Sequence, residues 1–437
     1  MLLTSNVSIS ALIIAAFLLV AGFAIYSRGQ HPIVLLAAFY GYFAFGPVIN
    51  HLLGNEIYFG TITEYISTAS VMYFLAIAAM VGTAVVLRCR NDVSSDSVIS
   101  NSGKLYVLEI ICAVLVIFQG LAVIYVIVRL GGGVISAGKL QKIAILGSTI
   151  HYYFLALQGY VAAMYFAAQR NEFARKWYRN AVIGFILYCL VMSERDFIFL
   201  IGGIVMMRIY CRDVQVRVRQ ILGGAALIVL ATYLSQLRAG GGGGLALEDV
   251  LNQGNLLFVD TYILSVVPRY FDHMGGITYW NSLLSLPPGQ FNEGGLRLLQ
   301  WFKDLYAPGA DVGYGFSLEA EAYLNFGLWG VPLFFSVLTA GLCMVWNRID
   351  RGPLWSYLSV LLIAQSMYSI RNDSLQLVKS TAYGILFFAS VWVLSQVAKP
   401  LYIRQEKKNQ VDDQGTAATS TSRQATGLSL NSTFGES

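Results

Sequence analysis

Two acids and an amide occur in the last third of the chain, at the start of a long apolar stretch. Glu319, Glu321 and Asn325 lead into a run that is hydrophobic enough to cross a membrane. A charged side chain costs about 2.5 to 3.5 kcal/mol at the centre of a membrane helix, so such residues are functional by default. A carboxylate there can orient a substrate hydroxyl or take its proton as a general base. The sequence therefore predicts a site at the start of this helix.

Helical spacing separates the two glutamates. Residues four apart share a helical face, so Ser317, Glu321 and Asn325 form one polar stripe, with Glu319 and Tyr323 roughly opposite. An acid in the first turn stabilises the helix dipole by about 0.3 to 1 kcal/mol, which suits Glu319. We therefore predict Glu321 as the catalytic carboxylate, either as the base or as a group that orients the acceptor. Asn325 would hydrogen-bond a neighbouring substrate group.

Arginines at the ends of apolar segments form a second candidate group. A guanidinium is always charged and binds phosphate oxygens through two parallel hydrogen bonds. Arg195 lies in a polar turn between the short apolar pieces 181–193 and 197–210, and Arg371 follows the apolar segment 354–370. We predict that both are catalytic residues that bind phosphate. Ion pairing within a turn, or snorkelling to the interface, is the alternative explanation.

Residues predicted to bind the substrate lie in and beside a long connection, 238–316. Its acids outnumber its bases, so anion binding there depends on individually placed side chains. His273 is a rival to Glu321 as the base, because histidine is a common general base. The predicted substrate-binding residues are Arg238, Arg269, Arg297, Tyr323, Asn325 and His273. A packed or solvated role is the alternative for each of them.

The sequence contains no pattern of metal or nucleotide binding. Glu319 and Glu321 are two residues apart and point to different helical faces, so they do not bind one ion together. The chain also lacks zinc-ligand spacing, and its five-glycine run, 240–244, lacks the Lys-Ser/Thr pair of a phosphate-binding loop. We therefore predict no metal ion and no other cofactor.

The composition indicates a polytopic membrane protein. The chain has 437 residues, of which 56% are hydrophobic and 12% charged, and its mean hydropathy is +0.61. A crossing helix needs about 20 apolar residues. Stretches of this kind lie near 8–27, 32–52, 66–88, 105–129, 149–168, 220–237, 317–346 and 375–398, with shorter ones near 181–193, 197–210 and 354–370. These predict an all-α integral membrane protein with about eleven transmembrane helices.

The expected organisation is two membrane parts separated by one large loop. Residues 1–237 would form about eight spans, including a short hairpin at 181–210, and residues 238–316 the periplasmic loop. Residues 317–398 would form the last three spans, followed by a disordered tail, 399–437. With eleven spans, the clusters of Lys and Arg all fall on the same side of the membrane, which is the cytoplasmic side because cytoplasmic loops are enriched in these residues. This places the N-terminus in the periplasm and the C-terminus in the cytoplasm. These clusters explain the net charge of +5, so nucleic acid is not an expected partner.

Several segments of the chain resemble a known family. They are Gly-Gly-Ile-Thr-Tyr at 275–279, Leu-Pro-Pro at 286–288, Gly-Tyr-Gly-Phe-Ser at 313–317 and Glu-Ala-Tyr-Leu-Asn-Phe-Gly at 321–327. Together they resemble the bacterial O-antigen polymerases of the Wzy type over about residues 275–330. Weaker similarity occurs at Ser193-Glu-Arg195 and at Arg371-Asn-Asp373.

The resemblance implies an inner-membrane glycosyltransferase. Such an enzyme joins undecaprenyl-pyrophosphate-linked oligosaccharide repeat units into O-antigen or a similar surface polysaccharide, on the periplasmic face. Its implied partners are the lipid-linked oligosaccharides, membrane lipid and a polysaccharide chain-length regulator. Two other classes stay open. An O-antigen ligase would transfer polysaccharide to lipid A core and would use a loop histidine such as His273. A lipid-linked oligosaccharide flippase is disfavoured because the polar features concentrate on one side rather than at the midplane.

Overall fold

The protein is all-helical throughout the part of the chain that its computed structural model describes. The described residues are 2–27, 31–55, 57, 60–87, 107–134, 137, 139–167, 172–192, 251, 256–287, 298–306 and 315–400. The predicted spans 197–210 and 220–237 lie outside these ranges, as do Arg195, Arg238 and Arg297. The expected tail, 399–437, lies outside them from residue 401 onward.

Fourteen α-helices follow one another within the described residues. They are α1 (Leu2–Tyr26), α2 (Pro32–Leu52), α3 (Ile66–Val86), α4 (Leu108–Leu130), α5 (Lys139–Leu146), α6 (Ser148–Ala167), α7 (Glu172–Met192), α8 (Leu256–Val266), α9 (Ile277–Leu284), α10 (Leu298–Tyr306), α11 (Leu318–Phe326), α12 (Gly330–Trp346), α13 (Pro353–Ser369) and α14 (Ser374–Pro400).

Six helical stretches of the described chain are long and apolar enough to cross a membrane. They are Ser8–Tyr26, Pro32–Leu52, Thr63–Val86, Leu108–Val134, Leu318–Arg351 and Ser374–Pro400. The prediction of an all-helical, multi-pass membrane protein is thereby confirmed. The count of about eleven spans stays a prediction, because two of the expected spans lie outside the described residues.

Helix α7 is longer than the apolar pattern indicated. The apolar piece 181–193 is continuous with residues before it, so that one helix of 21 residues runs from Glu172 to Met192. The sequence is rich in charged residues from 172 to 179, which is why the hydrophobic pattern alone placed the start of the helix too late. The turn at 193–196 and the second arm of the expected hairpin lie outside the described residues.

The core of the bundle surrounds α3, which packs against α1, α2, α8 and α12. Tyr40 of α2 and Tyr73 of α3 are fully buried there, with ring centroids 6.4 Å apart. Phe335 of α12 packs on Tyr40 at 5.1 Å. Helix α8 belongs to the predicted loop, yet nearly all of its side chains are buried against these helices. It is therefore an ordinary packed helix and does not lie on a surface.

The hydrophobic stretch after Ser317 is broken into two helices. A short 3₁₀ turn, Gly327–Trp329, separates α11 from α12. Gly327 has a φ of +64°, a conformation that L side chains rarely adopt. Two carbonyls at the end of α11 accept hydrogen bonds from another segment, with Met274 N 2.9 Å from Leu324 O and Gly275 N 3.0 Å from Asn325 O. The polar residues therefore lie on a separate nine-residue helix.

Gly330 permits the close approach of α11 and α12. A Cβ at this position would collide with the carbonyl oxygen of Ala322. Overpacking of this kind costs about 1 to 3 kcal/mol. We expect Gly330→Ala to lower the thermal midpoint of the purified protein and its abundance in membranes.

Gly341 provides the matched control on the same helix, because a Cβ there meets nothing within 4 Å. Gly341→Ala should leave the midpoint unchanged or raise it slightly, since alanine favours helix by roughly 0.5 to 1 kcal/mol over glycine. Equal midpoints for the two variants would show that the break between α11 and α12 is not tightly packed.

Candidate active site

Two segments distant in sequence converge on α11. Residues 274–278 contact its last turn and its buried face, and Ser374, the first residue of α14, bonds Glu321. The convergence unites three of the segments that carry the family resemblance, at 275–279, at 321–327 and at 371–373. Helix α11 is thus the element around which the candidate site is built.

Glu321 is 1% exposed, and protein groups satisfy its carboxylate. The Thr278 hydroxyl donates to Oε1 at 2.7 Å, and the Ser374 hydroxyl donates to the same oxygen at 2.8 Å. The Ser374 backbone N–H donates to Oε2 at 2.6 Å. Three donors at one carboxylate stabilise its ionised form. Glu321 therefore links α9, α11 and the start of α14.

Asn325 lies one turn after Glu321 on the same buried face, as the four-residue spacing predicts. Its Nδ2 donates to Thr278 Oγ1 at 2.6 Å and to the Glu321 carbonyl oxygen at 2.8 Å. Its Oδ1 accepts from Gly276 N at 2.9 Å. The Asn325 amide thus fixes the segment that carries Thr278, and Thr278 in turn bonds Glu321.

Ser317 belongs to a different group of residues from Glu321. It is the N-cap of α11, in an extended conformation, and its Oγ accepts from Ala320 N at 2.9 Å. The same Oγ donates to Asp260 Oδ1 at 2.6 Å. The predicted stripe is therefore wrong at Ser317, because an N-cap residue does not yet follow helical side-chain directions.

Arg371 lies in the segment between α13 and α14 and is half-buried. Its guanidinium stands over the Phe43 ring, with 5.8 Å between the guanidinium carbon and the ring centroid. A Cβ at Gly315 would lie 2.7 Å from the Arg371 carbonyl oxygen, so the two backbones are in close contact. The adjacent Asp373 caps α14 by accepting from Gln376 N at 3.3 Å. Burial raises the pKa of the Asp373 carboxyl above its usual range.

His273 and Tyr323 meet near the C-terminal end of α11. His273 is exposed, and its Nδ1 lies 3.1 Å from the Tyr323 carbonyl oxygen. A carbonyl only accepts, so Nδ1 is the donor in this contact and Nε2 takes no part in it. Tyr323 is half-buried, and its hydroxyl donates to Val267 O at 3.3 Å. Arg269 is exposed and stands over the Tyr270 ring at 5.3 Å.

Three residues of this arrangement were not singled out from the sequence. Thr278 and Ser374 each hold Glu321, and Asp260 holds Ser317. Thr278 lies inside a resembling segment, and Ser374 directly follows another, which was the available signal. Asp260 gave no signal in the sequence, because it lies within the apolar pattern of α8.

Among the described residues, no group of three or more His, Cys, Asp or Glu side chains is arranged to hold a metal ion. The absence of a metal or other cofactor stays a prediction. Arg195, Arg238 and Arg297 lie outside the described residues, so their proximity to Glu321 and Arg371 also stays a prediction.

The fold and site define a multi-pass membrane protein in which a buried polar site is assembled on one half of a broken helix. Residues 302–399 match the family model described as O-antigen polysaccharide polymerase Wzy. The match includes Glu321, Asn325 and Arg371. Comparison with curated proteins and with solved structures finds no match. The chain is a multi-pass membrane protein, and over this stretch, which is less than a quarter of its length, it is similar to the Wzy O-antigen polysaccharide polymerases.

Proposed function

We propose that the protein joins undecaprenyl-pyrophosphate-linked oligosaccharide repeat units by glycosyl transfer on the periplasmic face of the inner membrane. The observation that carries the proposal is the link between Glu321 and the 371–374 segment, because it connects a buried carboxylate to a half-buried arginine. Both elements lie within the stretch that matches the polymerase family.

The chemistry requires a cation more than it requires a strong base. An acceptor hydroxyl attacks the anomeric carbon of the donor chain, the bond to the carrier breaks, and polyprenyl diphosphate leaves with the bonding electrons. Negative charge therefore develops on the diphosphate. Preorganised groups at developing charge usually supply the largest catalytic contribution.

Arg371 is the described arginine best placed for this task. Its backbone is held by close contact with Gly315, and Glu321 holds Ser374 three residues later. Such anchoring reduces the reorganisation that diphosphate binding would otherwise require. In the proposal Arg371 binds the leaving diphosphate, and Arg195, Arg238, Arg269 and Arg297 provide further contacts to it.

Glu321 acts in this proposal by orienting groups. Its two oxygens already accept three hydrogen bonds from protein donors, and the side chain is almost completely buried. Both features favour an orienting role over proton abstraction. Asn325 acts with it by holding the 275–278 segment. The exposed His273 and the neighbouring Tyr323 would bind the acceptor sugar.

The proposed topology follows the distribution of Lys and Arg, with the N-terminus in the periplasm and the C-terminus in the cytoplasm. A membrane-bound chain-length regulator is the proposed protein partner. The second candidate function is an O-antigen ligase. The observation that favours it is the exposed histidine in the segment before α9.

Deletion of the gene separates the two functions. A strain without the polymerase should show one repeat unit on lipid A core, because single units are still ligated. A strain without the ligase should show no repeats on lipid A core and should accumulate polymer on the lipid carrier. Gel electrophoresis of lipopolysaccharide reads both outcomes, and the ligase pattern would contradict the proposed function.

A further inference from the structure

Two acids are completely buried together beneath the start of α11. Asp260 of α8 and Glu319 of α11 are both 0% exposed. Their carboxyl groups interact with each other, and the fully buried Tyr40 and Tyr73 border them. Within the described part of the chain, no Lys, Arg or His forms an ion pair with either acid. The pair therefore has no counter-charge from these residues.

The two acids differ in their hydrogen bonds. Asp260 accepts from the Tyr73 hydroxyl at 2.6 Å on Oδ2 and from the Ser317 hydroxyl at 2.6 Å on Oδ1. Neither oxygen of Glu319 accepts a hydrogen bond as short as these, and its polar neighbours among the described residues include the Tyr40 hydroxyl and the Asp260 carboxyl. The environment therefore stabilises negative charge on Asp260 more than on Glu319.

The burial of the two acids and their different hydrogen bonds determine how many protons the pair holds and which acid holds them. Two carboxylates in contact within an apolar interior do not both ionise, because each charge loses solvation and the two charges repel. One proton is therefore retained by the pair. Hydrogen-bond donors stabilise a carboxylate and disfavour its neutral form, so the proton remains on Glu319, the acid with the weaker donors.

We propose that Asp260 and Glu319 form a carboxyl pair that shares one proton, carried by Glu319, and that the Asp260 anion positions the start of α11 through Ser317. The effect of the pair on catalysis rests on the proposed function, whereas the shared proton does not. Ser317 caps α11, and its carbonyl oxygen accepts from Glu321 N at 3.0 Å. Asp260 therefore fixes the turn from which Glu321 projects, and it is a positioning residue, whereas Glu319 carries the proton.

Infrared spectroscopy of the purified protein tests the location of the proton. Difference spectra between wild type and each variant isolate the carbonyl stretch of a protonated carboxylic acid. We expect Glu319→Gln to remove one such band and Asp260→Asn to retain it. Loss of the band in Asp260→Asn alone, or in neither variant, overturns the proposal. This result does not depend on catalytic activity, so it stands even if the proposed function fails.

Polymerase turnover tests the positioning role. Glu319→Gln imitates the protonated acid, so kcat should remain within about threefold of wild type. Asp260→Asn replaces an anion that accepts two hydrogen bonds, and kcat should fall by about tenfold or more at an unchanged thermal midpoint. Equal losses of kcat in Glu319→Gln and Asp260→Asn would overturn the assignment of the proton to Glu319 and of the anion to Asp260.

Ser317→Ala supplies the same test without changing either acid. It removes the hydroxyl that connects Asp260 to α11, and we expect kcat to fall while the infrared band of Glu319 is retained. If Asp260→Asn does not fold, Ser317→Ala alone tests the positioning role of Asp260. A wild-type kcat in Ser317→Ala would contradict that role. A wild-type protein that polymerises nothing would instead refute the proposed function.

Discussion

Replacement of Arg371 by alanine is expected to reduce polymerisation by about a hundredfold or more. Removal of one preorganised donor from a site of developing charge costs about 10² to 10³ in kcat. The guanidinium of Arg371 is half-buried over the Phe43 ring, where water screens its charge less than at an open surface. Arg371→Lys should recover only part of the activity, because an ammonium lacks the planar pair of donors that matches a phosphate.

Arg348 is the matched control for Arg371. It also stands over an aromatic ring, with its guanidinium carbon 5.1 Å from the Trp355 centroid. Helices α12 and α13 pack together and are joined by a short connection, so Arg348 and Arg371 lie at opposite ends of this pair. Polymer length and yield in Arg348→Ala should equal wild type when protein abundance is matched. A loss as large as that of Arg371→Ala would show that the effect is not specific to the site.

Glu321→Ala is expected to abolish polymerisation, with a loss of at least about a hundredfold. The change leaves three buried donors without their acceptor, each at a cost of about 1 to 3 kcal/mol. The 371–374 segment would lose its anchor, and Arg371 would lose its fixed position. The measurement is the rate of polymer formation in membranes that contain equal amounts of protein.

Glu321→Gln distinguishes the two roles that the sequence left open. The amide oxygen can accept from the Ser374 N–H, while the Thr278 and Ser374 hydroxyls rotate to accept from the amide nitrogen. An orienting role therefore predicts activity within about tenfold of wild type. Complete loss in a folded Glu321→Gln variant would show that the charge itself takes part in the chemistry, as a base does.

Helix positions were largely predictable wherever apolar residues are continuous. The expected spans 8–27, 32–52 and 375–398 agree with Ser8–Tyr26, Pro32–Leu52 and Ser374–Pro400. The break at Gly327 was not predicted, because hydropathy continues through it. Its cause is tertiary, since the amides of Met274 and Gly275 bond the Leu324 and Asn325 carbonyls, which a continuous helix would have bonded itself.

The site was predictable to the extent that it follows helical periodicity. Glu321 and Asn325 share a face because they are four residues apart on a regular helix. The Glu319 side chain was interpreted as an acid that stabilises the helix dipole, yet it is fully buried beside Asp260. Asp260 and Ser374 are distant from Glu319 and Glu321 in sequence, so only the packing of α8 and α14 reveals their contacts. Spacing within one segment carries no information about such pairs.

Binding of the leaving group tests the central claim most directly. The affinity of undecaprenyl diphosphate for the purified protein in detergent should be measured for wild type, Arg371→Ala and Arg348→Ala. Loss of a bidentate, charge-assisted contact predicts that Arg371→Ala binds about tenfold or more weakly, whereas Arg348→Ala binds like wild type. Equal affinity in all three proteins would contradict the claim that Arg371, held in place through Glu321, binds the diphosphate.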